Sequence, residues 1–103
     1  MSVLRDARAL ISKPENWRQG AMAGCRFMGG DIRMSLPTTH PMANCWCAAG
    51  AIKRVSATDK EFGNAIVALA FYAMPGGVAA FNDTHTHAEV LAAFDKAIEA
   101  TER

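Results

Sequence analysis

Imbalance of charge is almost missing from this sequence: eleven basic side chains face ten acidic ones across 103 residues, a formal net charge of +1. Residues 1–44 carry +3 and the remainder −2, far from the clustered cations that neutralise a run of phosphates. Nucleic acid is therefore not an expected partner. No apolar run approaches the ~18 residues of a membrane span, so no membrane association is expected. The first residues, Met1 to Asp6, lack the apolar stretch of an export signal, and the expected location is the cytoplasm. Cysteine is sparse and odd in number (Cys25, Cys45 and Cys47), which argues against a disulfide framework and for reduced thiols packed as small hydrophobes. Neither Gly29-Gly30 nor Gly76-Gly77 is followed by the residues of a phosphate loop. Low-complexity tracts, linkers and internal repeats are lacking too.

Large apolar side chains are scarcer than the composition suggests. Half the chain is hydrophobic, but twenty of those residues are alanine, and Leu, Ile, Val and Phe together supply only twenty more. Such a fraction borders on that of disordered chains, yet disorder also requires a high net charge. One compact domain over residues 1–103 is the expectation, with alanine-lined helices packed around a few large anchors (Leu10, Ile52, Ile66, Leu69, Leu91 and Phe94).

Along the chain, Val3, Leu4, Ala7, Leu10 and Ile11 recur at helical spacing behind a Ser2 cap, and Pro14 closes this helix. Residues 14–20 read as a turn around Trp17. Ile32, Met34 and Leu36 alternate with polar residues, and Gly29-Gly30 before them suggests the turn of a short β-hairpin. Asn44 is the expected N-cap of a second helix, with Ala48, Ala51, Ile52 and Val55 inward and small residues inviting close approach by another helix. Thr58-Asp59-Lys60-Glu61 has the form of a capping box for a third helix, which Pro75-Gly76-Gly77 ends. Val78–Phe81 reads as a helical turn. Thr86-His87-Ala88-Glu89 opens the final helix, with Val90, Leu91, Phe94 and Ile98 inward. The expected fold is mostly α, a small helical domain of about four helices with one short β-hairpin.

Chemistry has few candidate homes. Cys47 near a helix start would see unpaired amides and the positive dipole end, which favour thiolate. Paired with His87 and oriented by Asp83 or Asn82, it would make a thiol nucleophile, with Gln19 a conceivable oxyanion donor. Cys45, Cys47, His85 and His87 are a legitimate zinc set by type. Their i, i+2 spacing is poor, since such positions on a helix point roughly 200° apart, so no metal and no cofactor is expected. A structural alternative explains the same residues: Trp17, Gln19, Asn82 and Asp83 as one buried hydrogen-bonded cluster tying loop to loop.

Three ordered motifs carry a resemblance: Trp17-Arg18-Gln19-Gly20; Cys47-Ala48-Ala49-Gly50-Ala51-Ile52; and Phe81-Asn82-Asp83, followed by a last helix containing Ala97-Ile98. The chain resembles a family of short uncharacterised bacterial and phage proteins, classed as a domain of unknown function, over nearly its whole length. That resemblance implies no established activity and points to Trp17, Gln19, Cys47, Asn82 and Asp83 as the positions of interest. The functional expectation is a small binding or regulatory domain acting on a protein partner, with Trp17, Gln19 and Asn82 as the binding candidates and homo-oligomerisation a further option. The phage membership implies a host protein, such as a defence system, as a special case. The competing expectation is a thiol-dependent hydrolase or transferase using Cys47 and His87, so enzymatic activity is left open.

Overall fold

The computed structural model describes residues 2–26, 32–74 and 76–102. Its elements are α1 (Val3–Leu10), a single 3-10 turn (Pro14–Asn16), β1 (Ala23–Arg26), β2 (Ile32–Ser35), β3 (Cys45–Trp46), α2 (Ala48–Val55), α3 (Asp59–Ala70), α4 (Gly77–Thr84) and α5 (His87–Thr101). The domain is mostly α, as the periodicity implies, with five helices among the described residues rather than about four. The extra one is α4. It runs through Asn82 and Asp83, past the single helical turn expected over Val78–Phe81, and so turns both side chains toward a distant loop.

The helix starts follow local chemistry closely. Ser2 Oγ accepts the Arg5 amide at α1, and Thr58 Oγ1 accepts the Glu61 amide at α3. Thr86 and Glu89 form a complete capping box at α5, with the Glu89 carboxylate taking the Thr86 amide at 2.8 Å. The α3 box is only half closed, because Glu61 reaches one residue further back, to the Ala57 amide.

The second helix departs from expectation. Its cap is Cys47, not Asn44. Asn44 instead spends its amide on the Arg26 backbone, with Oδ1 taking the Arg26 N–H and Nδ2 donating to the Arg26 carbonyl. That side chain thus imitates a strand partner and extends the pairing of β1 with β3, which delays the helix by three residues.

The hairpin is part of a three-stranded antiparallel sheet ordered β2-β1-β3. Cys25 pairs with Met34 and Gly24 with both Ser35 and Cys45, with an irregularity between Cys25 and Arg26. The turn expected at Gly29-Gly30 lies outside the described residues, as does Pro75 itself, but α3 ends at Ala70, ahead of the expected Pro75-Gly76-Gly77 stop, and Gly76 instead caps the start of α4. On the far side of β3, Trp17 bridges Trp46, and the Arg18 amide donates to the Trp46 carbonyl. The Trp17 segment therefore runs along the sheet edge.

Core packing follows the alanine pattern. Phe94, Ile11, Ile52, Leu69 and Val90 are the largest fully buried apolar side chains, each contributing about 1.5–3 kcal/mol by its burial. Ala7 of α1, Ala51 of α2 and Ala97 of α5 are fully buried, and α1 packs on both of the other helices. Of the expected anchors, Leu10, Ile66 and Leu91 are only partly buried. Gly50 also differs from expectation. Its close neighbour is no helix but the chain before β1: a Cβ there would lie 1.8 Å from the Met22 carbonyl oxygen. Small residues at the start of α2 make room for backbone.

Candidate functional site

Asn82 sits at the centre of the candidate site. It is the one buried polar residue among the described residues, with no exposed surface. Its Oδ1 accepts from the Trp17 indole Nε1 at 2.7 Å and from the Ala48 amide at 2.9 Å. Its Nδ2 donates to the Arg18 carbonyl at 3.0 Å and to Asp83 Oδ1 at 3.2 Å. Two accepted and two donated bonds exhaust an asparagine amide, and they fix which atom is oxygen and which nitrogen. A buried polar group met this fully stabilises the fold instead of straining it.

The neighbouring residues complete a clasp. Gln19 is exposed, yet its Nε2 donates to the carbonyls of Asn82 and His85, at 3.0 and 3.1 Å. Those are end-of-helix carbonyls of α4 that lack intrahelical donors. Asp83 Oδ1 takes the Gly20 amide at 2.9 Å, and Gly20 holds φ at +87°, a left-handed conformation that glycine adopts without strain. The Trp17–Gly20 loop thus closes on the C-terminal end of α4 by side chain and backbone together. Four of the residues marked from the sequence, Trp17, Gln19, Asn82 and Asp83, are assembled in one place.

Cys47 lies next to this clasp but turns its sulfur elsewhere. Its Sγ accepts the Gly50 amide at 3.3 Å, while the adjoining Ala48 amide belongs to Asn82. Two of the otherwise unpaired amides of α2 are thereby met, one by a local cap and one from another helix. Cys47 is only 4% exposed. Burial pushes its thiol up from an ordinary value of 9.0, against the smaller opposing effect of the Gly50 and Ala49 amides, and the Asp83 charge pushes it further up. The residue cast as an orienting acid therefore disfavours the thiolate.

The imidazoles are committed as well. His87 Nε2 lies 2.6 Å from the Ile11 carbonyl, and its ring leans on Trp17 with centroids 5.4 Å apart. His85 stacks on Phe81 at 3.8 Å and directs Nδ1 at the Phe81 carbonyl at 3.0 Å. A carbonyl only accepts, so each of these nitrogens carries a proton. Among the described residues no hydrogen bond joins the Cys47 sulfur to either imidazole. Nor does any group of three or more His, Cys, Asp or Glu among them suit a metal ion. Cys45 points to the Gly24 carbonyl at 3.4 Å, so the two sulfurs of the zinc proposal have separate backbone partners.

One surface feature escaped the sequence reading. Val67, Phe71 and Met74 are 61%, 75% and 67% exposed, and with Ala70 they line an open hollow. Part of the signal was available: Val67 lies on the side of α3 opposite the buried Ala65 and Leu69, while Phe71 follows as the C-cap and Met74 lies in the turn beyond the helix.

Clasp and hollow together define a small, mostly α domain whose one buried polar knot joins the Trp17 loop, α2 and α4. The chain belongs to the family of unknown function DUF6197, whose model matches residues 1–100. No curated protein and no solved structure is detectably similar to it. Among the described residues no helix is long and apolar enough to cross a membrane.

Proposed function

We propose that this chain is a small cytoplasmic binding domain that acts on a protein partner through the exposed face of Val67, Phe71 and Met74. The observation that carries the reading is Phe71, three-quarters exposed beside two other large apolar side chains. Single exposed hydrophobes are ordinary, but a contiguous group on a monomer is often functional. The clasp supports the same reading in a structural role, because all four hydrogen-bonding positions of the buried Asn82 amide are spent within the fold. A host protein bound by a phage-borne domain is the special case suggested by the motif resemblance.

Immobilised protein incubated with host lysate tests this directly. The wild type and Met42→Asp, a change at an exposed methionine outside the hollow, are expected to retain a common partner that Phe71→Asp loses. Equal capture by Phe71→Asp overturns the proposal.

The thiol-dependent alternative finds less support. It needs a partly ionised Cys47 within reach of an imidazole; burial and Asp83 oppose the first, and the Cys47 sulfur, taken by the Gly50 amide with no hydrogen bond to either ring among the described residues, gives no support to the second. Iodoacetamide at pH 7 discriminates: slow labelling of Cys47 in the folded protein fits the binding domain, and rapid labelling of that one thiol fits the enzyme.

A further inference from the structure

We propose that the trough between the end of α3, α4 and α5 binds an ω-amino carboxylate, a ligand with an ammonium and a carboxylate at opposite ends of a short methylene chain. The trough shares no lining residue with the hollow of Val67, Phe71 and Met74, so the inference stands apart from the binding reading above.

The two ends of the trough carry opposite charge. Glu89 and Lys96 both line it from α5. Standing seven residues apart, close to two full turns, they share one face of that helix and lie about 10.5 Å apart along its axis. Glu89 is held in place by the Thr86 amide at 2.8 Å, and the bonds from Thr86 keep its carboxyl below the ordinary 4.5, so this end is anionic at neutral pH. Its oxygens have lone pairs to spare for a further donor. His85 also lines the trough and is close enough to Glu89 for its charge to be felt there. The Nδ1 proton of His85 is spent on the Phe81 carbonyl, which leaves Nε2 of the neutral ring as a second acceptor.

Donors without partners stand at the other end. Lys96 is exposed, and among the described residues neither its ammonium nor the Tyr72 hydroxyl has a hydrogen-bond or ion-pair partner. These two side chains also line a neighbouring hollow together, which puts them at the same end of the trough. The middle is apolar. Between its two charges α5 presents only Ala92 and Ala93, and the Phe81 ring, stacked on His85 at 3.8 Å, walls the trough from α4. Methylenes lie there without displacing a polar group. The volume is about 300 Å³, at the lower end for small-molecule sites. A simple amine or a simple carboxylate meets one end only; an ω-amino carboxylate meets both. Because the charges are exposed, each pair contributes modestly, and a Kd of about 1 mM is expected.

Titration of the folded protein with ε-aminocaproate, followed by NMR shifts of the His85 ring and the α5 amides, is the test. Saturable shifts are expected, with caproate and hexylamine each binding about fivefold more weakly. Lys96→Ala should weaken ε-aminocaproate about fivefold and leave hexylamine unchanged, a split that loss of folding does not produce. Glu99 lines the neighbouring hollow and not the trough, so Glu99→Gln should bind at least as tightly as the wild type. Absence of shifts at about 20 mM ligand overturns the inference, as does equal binding of caproate, an unaffected Lys96→Ala, or a loss in Glu99→Gln as large as that in Lys96→Ala. A peptide ending in lysine with a free carboxylate presents the same two charges and separates the sources of this chemistry. Tighter binding of the peptide than of ε-aminocaproate assigns the trough to a protein C-terminus, and the reverse order assigns it to a free amino acid.

Discussion

The clasp around Asn82 and the face around Phe71 invert the usual arrangement in opposite ways. One puts a polar amide where no water reaches; the other puts an aromatic ring in water. The two differ in what completes them. Asn82 finds all four partners inside the chain, from the Trp17 indole, the Ala48 amide, the Arg18 carbonyl and Asp83. Phe71 finds little cover in its own chain and stays three-quarters exposed. A buried polar group that is fully met explains itself by stability, whereas an exposed apolar cluster calls for something outside the chain.

The hardest blow to that comparison is Asn82→Ala. It strands the Trp17 N–H, the Ala48 amide and the Arg18 carbonyl together, each a desolvated group without its partner. A loss of about 3–5 kcal/mol is expected in urea unfolding, and a loss below about 1 kcal/mol would show that the clasp is not what joins the loop to α2 and α4. Next in size is Cys47→Ala, which removes a cap from α2 and a buried side chain. About 1–2 kcal/mol is expected, read as a lowered thermal midpoint.

Changes at the outer face should leave stability nearly untouched. Phe71→Asp is expected to shift unfolding free energy by no more than about 0.5 kcal/mol while abolishing capture of the partner; a large destabilisation would mean that Phe71 belongs to the core after all. The smallest effect is a pH dependence tied to helix ends. The Thr86 amide and hydroxyl hold the Glu89 carboxyl below its ordinary 4.5, and the Ser2 hydroxyl and Arg5 do the same for Glu102. Both carboxylates are stronger acids folded than unfolded. Their contribution is therefore present above pH 4.5 and disappears as pH falls through the lower folded values. Glu89→Gln and Glu102→Gln should flatten the decline in stability below pH 4.5, and an unchanged slope would remove these caps from the account.

Legibility varied with the range of the interaction. The α5 cap was readable because Thr86 and Glu89 are three residues apart, and the spacing itself specifies the bonds. The α2 start was misread because Asn44 has two uses, helix cap or strand mimic, and the choice depended on Arg26, eighteen residues earlier. The clasp was half legible. Motif resemblance marked Trp17, Gln19, Asn82 and Asp83, but the Ala48 amide and the Arg18 carbonyl that complete Asn82 are backbone groups, which carry no residue identity to read.

What the sequence by itself determined is the helical content, most of the helix ends and an alanine-lined core. These rest on interactions three or four residues apart and on apolar period, both written in adjacent residues. Only the tertiary structure decided that Asn82 would meet Trp17 across sixty-five residues, that Cys47 would be sealed, and that the apolar cluster of Val67, Phe71 and Met74 at the end of α3 would be left open. The reason is that burial belongs to the packed set of elements. The same side chain is core or surface according to which neighbour arrives to cover it.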